Sequence, residues 1–157
     1  MNFFEKTYIN LYAKSSDSIV SKDGHFEFRM PTGFRSRHSE GMYQIFKPND
    51  KGFLFQWQGF VLPDEMQNQF DIDLELKNEL NENPNAEIQT TGNYDCVCSA
   101  TVTEDKKEIV YTWKIGEKNK RILVTLFLDG QQPQEVIDDQ IYLVGQFMKE
   151  LKIKHTT

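Results

Sequence analysis

Reactive side chains are scarce in this chain: three histidines and two cysteines in 157 residues. A hydrolytic triad needs a nucleophile beside a base, usually a histidine held by a carboxylate. His25 precedes a strand in a turn, His38 falls in a loop with Arg35 and Arg37, and His155 lies in the HTT tail. None of them accompanies a GxSxG elbow or another nucleophile signature. A tetrahedral zinc site takes about four ligands, and Cys96-x-Cys98 supplies two with no second pair at finger-like spacing. Cysteines one residue apart on a strand point the same way and are badly placed to bridge each other, so both read as reduced thiols packed as small hydrophobes. Gly24, Gly33, Gly41 and Gly52 each stand alone in turns, without GxGxxG or GxxxxGK[ST], which leaves nucleotide binding without support. No catalytic residue, metal site or cofactor is assigned.

Two further absences bound the setting. There is no excess of Lys and Arg: the formal charge is −6, and nucleic-acid binding needs clustered cations to displace phosphate counterions. No apolar run approaches eighteen residues, and Glu5 with Lys6 interrupts the place where the apolar region of a leader would begin. The expectation is a cytoplasmic protein without membrane insertion.

What is present suits packed sheets. Aromatic residues make up 13% of the chain, with twelve Phe, six Tyr and two Trp. A chain of this length forms one domain and buries about 70% of its unfolded surface, so it needs no metal or disulfide to fold. Residues 1–23 read as an N-terminal extension, in which Phe4, Tyr8, Leu11 and Tyr12 at helical spacing predict a short helix before the SSDS stretch. Residues 24–157 read as the single domain. HFEFRMP alternates as a strand that Pro31 and Gly33 end. GMYQIFK and GFLFQWQGF, separated by Pro48-Asn49-Asp50-Lys51, predict a hairpin.

Asp64 and Gln67 then have the spacing of a capping box, and a helix is expected from there to about Glu82, stopped by Asn83-Pro84. Its apolar face takes Met66, Phe70, Leu74 with Ile72, Leu76 and Leu80; Asp71, Glu75 and Glu79 fall opposite, and Asp73 is the carboxylate on the apolar side. The alternation in FDIDLEL makes a strand the competing reading there. Asp71, Asp73 and Glu75 lack the central Gly and polar interleaving of a calcium loop. Three strands follow, near Gly92–Thr103, Glu108–Ile115 and Arg121–Leu128. Pro133 sits as the first residue of a closing helix with Ile137, Ile141, Val144, Met148 and Leu151 in one stripe. The expected class is α+β: a single antiparallel sheet of about six strands packed with two main helices, plus the short N-terminal helical segment.

This order, with FEFRMPTGF near the start and RILVTLFLDG leading into the closing helix, is similar to the PsbP, Mog and DcrB-like α/β-sandwich superfamily, in a bacterial branch, over about residues 24 to 153. The resemblance rests on element order and on the strand–Pro–x–Gly–aromatic opening at Phe28–Phe34. Members of that superfamily are mostly non-catalytic accessory proteins, so it implies a binding role rather than an activity. Lipoprotein members carry a lipidated Cys near the start, which this sequence lacks.

Alternation along the strands places Phe53, Phe55, Trp57, Cys96, Cys98, Trp113, Ile115, Ile122, Val124, Leu126 and Leu128 on one apolar face, which should carry the two helices. The reverse face mixes Leu54, Val97, Val110, Leu123 and Phe127 with hydroxyl and amide groups. Gln56, Gln58, Ser99, Thr101, Thr112 and Thr125 are therefore the candidate partner-binding residues, for a protein partner laid over that face, with a homodimer also allowed. The plainer reading is that Phe4, Tyr8 and Leu11 cover it. Arg35, Arg37 and His38 are candidate anion-binding residues, because guanidinium forks pair with carboxylates; a solvated loop is the plainer reading. An adaptor, chaperone or immunity-like protein fits these features, and a small-ligand carrier or enzyme with its pocket near Arg35, Arg37 and His38 is the alternative.

Overall fold

The computed structural model describes residues 16–21, 24–31, 33–48, 50–63, 69–105 and 107–154. The expected helix over Phe4–Tyr12, the Asp64 and Gln67 capping box, and His155 lie outside the described residues.

There are ten described strands: β1 (Ser16–Val20), β2 (Phe26–Pro31), β3 (Arg35–Ser39), β4 (Met42–Phe46), β5 (Phe53–Val61), β6 (Glu87–Thr91), β7 (Tyr94–Val102), β8 (Glu108–Glu117), β9 (Lys120–Asp129) and β10 (Lys152–Ile153). The two described helices are α1 (Ile72–Leu80) and α2 (Gln134–Lys149). The class is α+β, with two antiparallel sheets in place of the single expected one. Seven strands form a sheet in the order β3-β4-β5-β9-β8-β7-β6, and three form a second in the order β1-β2-β10. The small sheet uses β1, from the stretch read as an N-terminal extension, and β10, which follows α2.

The hairpin of β4 and β5 and the meander of β7, β8 and β9 form as the sequence predicts. Asp50 shapes the β4–β5 turn by accepting from the Gly52 N–H at 3.0 Å. Arg35, Arg37 and His38 lie on strand β3 and not in a loop; Glu40 and Gly41, both at positive φ (52° and 80°), make the two-residue turn that folds β3 back onto β4.

Tyr43, Ile45, Phe53, Phe55, Trp57, Cys96, Cys98, Trp113, Ile115, Ile122, Val124, Leu126 and Leu128 turn one face of the large sheet into the core. Two things cover it. One is α2, through Ile137, Leu143, Val144, Phe147 and Met148; the helix begins at Gln134, one residue after Pro133. The other is the small sheet, through Phe26, Phe28 and Met30. Phe55 stacks on Phe147 at 5.2 Å and meets Phe28 edge-on at 5.6 Å. The second helix expected on this face is absent from it, because β2 occupies that place.

Instead α1 lies on the reverse face at the β7 and β6 corner. It begins at Ile72, where Asp71 caps it by accepting from the Asp73 and Leu74 amides at 3.1 and 3.2 Å. Its polarity departs in part from the expected one: Ile72 and Leu76 are half-buried, but Leu74, Leu80 and Asp73 are exposed, and Glu79 is the buried carboxylate. A specific ion pair, Glu79 with Lys114, lies under the helix beside the half-buried Ile72 and Leu76.

Candidate functional site

The registers of six strands line up one row of side chains across the reverse face. Arg37 pairs with Gln44, Gln44 with Gln56, Gln56 with Thr125, Thr125 with Thr112, and Thr112 with Ser99. Because the side-chain period is 2, all of these point to the same side. The row is hydrogen-bonded at one end: the Arg37 guanidinium donates to the Gln44 amide oxygen, and the Gln44 amide donates to Gln56 Oε1 at 3.2 Å. Arg37 also lies over the Phe46 ring at 5.1 Å.

Parallel rows flank it. Toward the β5–β9 start, Leu54 pairs with Phe127, Phe127 with Val110, and Val110 with Thr101. On the other side Met42 pairs with Gln58, Gln58 with Leu123, Leu123 with Lys114, and Lys114 with Val97. The face is thus a grid in which a polar row runs between a mainly apolar one and a mixed one. Gln56, Thr112 and Thr125 occupy the polar row, Gln58 the mixed one and Thr101 the apolar one. The first three and Gln58 are half-buried, and Thr101 is exposed.

Ser99 is different. It is 5% exposed and donates to Glu79 Oε1 at 3.1 Å, so it serves the α1 corner and is withdrawn from the surface. Lys114 donates to Glu79 Oε2 at 2.5 Å and Asn83 to Oε1 at 2.6 Å. Burial alone would raise the Glu79 carboxyl; the three hydrogen bonds and the Lys114 charge outweigh it and hold its pKa below the ordinary value. This cluster pins α1 to the sheet and leaves no free proton acceptor. Sequence reasoning missed it, although a lysine between Trp113 and Ile115 in a buried strand signals a cation that needs a partner.

The anion-binding candidates separate. Arg35 and Arg37 lie on the reverse face, whereas His38, next along β3, turns to the other side and stacks on Tyr43 at 4.3 Å. A depression of about 280 Å3 near them is lined by Arg37, His38, Ser39, Met42 and Gln44. A more apolar cleft of about 350 Å3 sits where Phe70 covers Gly116, with Phe60, Leu123 and Arg121 around it. Arg121 stacks over Phe70 at 4.9 Å.

The thiols lie on the dry face. Burial pushes Cys96 up to about 11 and Cys98 up to about 12, so neither supplies a thiolate near neutral pH. Among the described residues no group of three or more His, Cys, Asp or Glu side chains converges as a metal site, and no helix is long and apolar enough to cross a membrane.

No family model matches the sequence, and no curated protein matches it. Solved structures do. A crystal structure from Bacteroides thetaiotaomicron VPI-5482 superposes with a TM-score of 0.68 at 16% identity, over 88% of this chain and 48% of that one. The chain therefore spans about half the length of the Bacteroides protein. The solution structure of cyanobacterial PsbP (CyanoP) from Synechocystis sp. PCC 6803 matches with a TM-score of 0.62 at 12% identity, over 89% of this chain and 93% of that one. LpqN of Mycobacterium tuberculosis, described as involved in cell envelope biogenesis, matches at 0.52 and 13%, over 90% and 91%. The fold is that of the PsbP-like α/β sandwich.

Proposed function

We propose that this chain, a PsbP-like sandwich, is a non-catalytic accessory protein that holds a protein partner against the reverse face of its large sheet. The observation that carries the reading is the registered polar row from Arg37 to Thr112 between the Leu54–Phe127–Val110 row and the Gln58–Leu123–Lys114 row. Amide and hydroxyl groups at regular cross-strand spacing can hydrogen-bond a segment laid over them, while the apolar row contributes buried area. Exposed Phe60, Leu74 and Leu80 extend the apolar surface beside α1, on the same side. LpqN, which shares the fold, is described as involved in cell envelope biogenesis, and a role at the cell envelope is one setting compatible with this reading.

Affinity capture of the tagged protein from its own cells tests it, with a Gln58→Arg, Thr112→Arg, Thr125→Arg variant and a tag-only control beside it. A stoichiometric partner retained by the wild type and lost by a variant of unchanged melting temperature is the expected result. Equal capture by both proteins, or nothing above the control, contradicts it. The second reading, a small-ligand carrier, draws on the depression at Arg37, His38 and Met42. A rise in melting temperature with one member of a metabolite panel would favour it over the protein-binding role.

A further inference from the structure

The two outer strands of the seven-stranded sheet carry opposite charge. β6 is EIQTT, with Glu87 as its only ionic side chain, and β3 is RSRHS. All five residues of β3 are exposed. Alternate backbone N–H and C=O groups of an antiparallel outer strand point away from its neighbour, which gives β3 an unused ladder among the described strands. From Phe28 to Ser39 the sequence contains no carboxylate, although the chain as a whole has 24 acidic against 18 basic side chains. Arg35 has no hydrogen bond or ion pair to a described residue, and Arg37 makes its contacts to the neutral Gln44 and Phe46. Two guanidinium groups at i and i+2 therefore stand on one face of an outer strand with no counter-charge among the described residues.

We infer that β3 is a strand-addition site for an extended acidic segment of a partner protein. Main-chain hydrogen bonds along β3 supply the generic attraction. Carboxylates at alternate positions of the segment pair with Arg35 and Arg37, and the depression lined by Arg37, Ser39, Met42 and Gln44 lies beyond them on the same face and receives the segment's next side chain on that face, opposite Ser39. A symmetric pair of β3 strands centred on Ser36 or on Arg37 is disfavoured by the same charges, because it sets arginine against arginine. The net charge of −6 repels an acidic ligand at long range, so the selectivity lies in the short-range forks on β3. The inference rests on the protein-binding reading and names the chemistry of the partner, because the added strand would continue the row that ends at Arg37.

The probe is a capped, fluorescein-labelled ten-residue peptide of alternating Glu and Val, titrated by anisotropy. The wild type should bind it and reject the Lys–Val equivalent, and Arg35→Glu with Arg37→Glu should weaken binding at least about tenfold. Of two peptides N-methylated at alternate amides, one in each register, one should lose binding and the other keep it, since an outer strand uses only every second amide. Equal binding by both methylated peptides would mean that charge alone is recognised and would overturn the inference. So would no binding to the wild type, or self-association of the wild type abolished by the β3 substitutions. Thr112→Arg and Thr125→Arg separate the two proposals. A captured partner lost by these variants, with no peptide binding, leaves the face reading standing and removes this one; peptide binding without a captured partner does the reverse.

Discussion

The two faces of the large sheet are made by the same strands, and one residue along each strand changes everything about the environment. Trp57, Val124 and Leu126 look into a layer built from α2 and the small sheet, where rings stack and thiols are held protonated. Gln56, Thr125 and Phe127 look the other way, onto a surface where polar and apolar rows alternate. α1 lies over that surface at the β6 and β7 corner, fastened by Glu79 to Ser99 on β7 and to Lys114 on β8. The face that closes the core is filled by volume; the face proposed to hold a partner is ordered by register.

The largest contrast is expected from truncation on neighbouring residues of β5. Phe55→Ala removes a fully buried ring that contacts Phe28 and Phe147 and should cost about 3–5 kcal/mol in urea unfolding. Leu54→Ala, half-buried on the reverse face, should cost about 1 kcal/mol. Costs that match would break the distinction between the faces.

Added atoms sharpen the comparison. A Cβ at Gly59 would collide with the Phe26 ring, and one at Gly116 with the Phe70 ring. Phe26 is fully buried between sheets, so Gly59→Ala should destabilise by about 1–3 kcal/mol. Phe70 is partly exposed, but its Cβ as well as its ring stands in the way, so Gly116→Ala should also lower stability in the same unfolding measurement.

The fastening of α1 is the next test. Glu79→Ala leaves the buried Ser99 hydroxyl without its acceptor and should cost about 1–3 kcal/mol. The effect depends on pH in a definite sense. The folded carboxyl titrates below its ordinary value of 4.5, so its contribution is complete above that pH and disappears as pH falls through the lower folded value. Glu79→Gln should therefore flatten the acid limb of the stability curve in that window, and an unchanged limb would show that the cluster does not hold α1.

How much of this is legible in the sequence follows from which signals are local. The meander, the β4–β5 hairpin and α2 all announce themselves by hydrophobic period, and each forms where the pattern places it. β3 has no apolar residue, so periodicity is silent about it; the Glu40-Gly41 turn is the signal that could have revealed it. β6 is announced only by Gly92-Asn93, a two-residue turn, with Gly92 at φ 58° between Thr91 and Tyr94. The assignment of Glu79 to the solvent side of α1 fails because a salt bridge to Lys114, 35 residues on, overrides the helical stripe. The reverse-face candidates were found by alternation, but their alignment into one row is a matter of register between strands, which no single segment encodes, and it is register that withdraws Ser99 and joins Arg37.

The most direct test of the central claim uses two adjacent residues of β9. Val124 is fully buried in the core and Thr125 stands in the middle of the polar row. Melting curves of Val124→Arg and Thr125→Arg should differ sharply: the first variant loses its cooperative transition or drops far below the wild type, and the second melts within a few degrees of it, roughly the shift produced by a surface change of about 0.5 kcal/mol. If Thr125→Arg is as damaging as Val124→Arg, the reverse face is part of the closed core, and the docking role proposed for it is wrong.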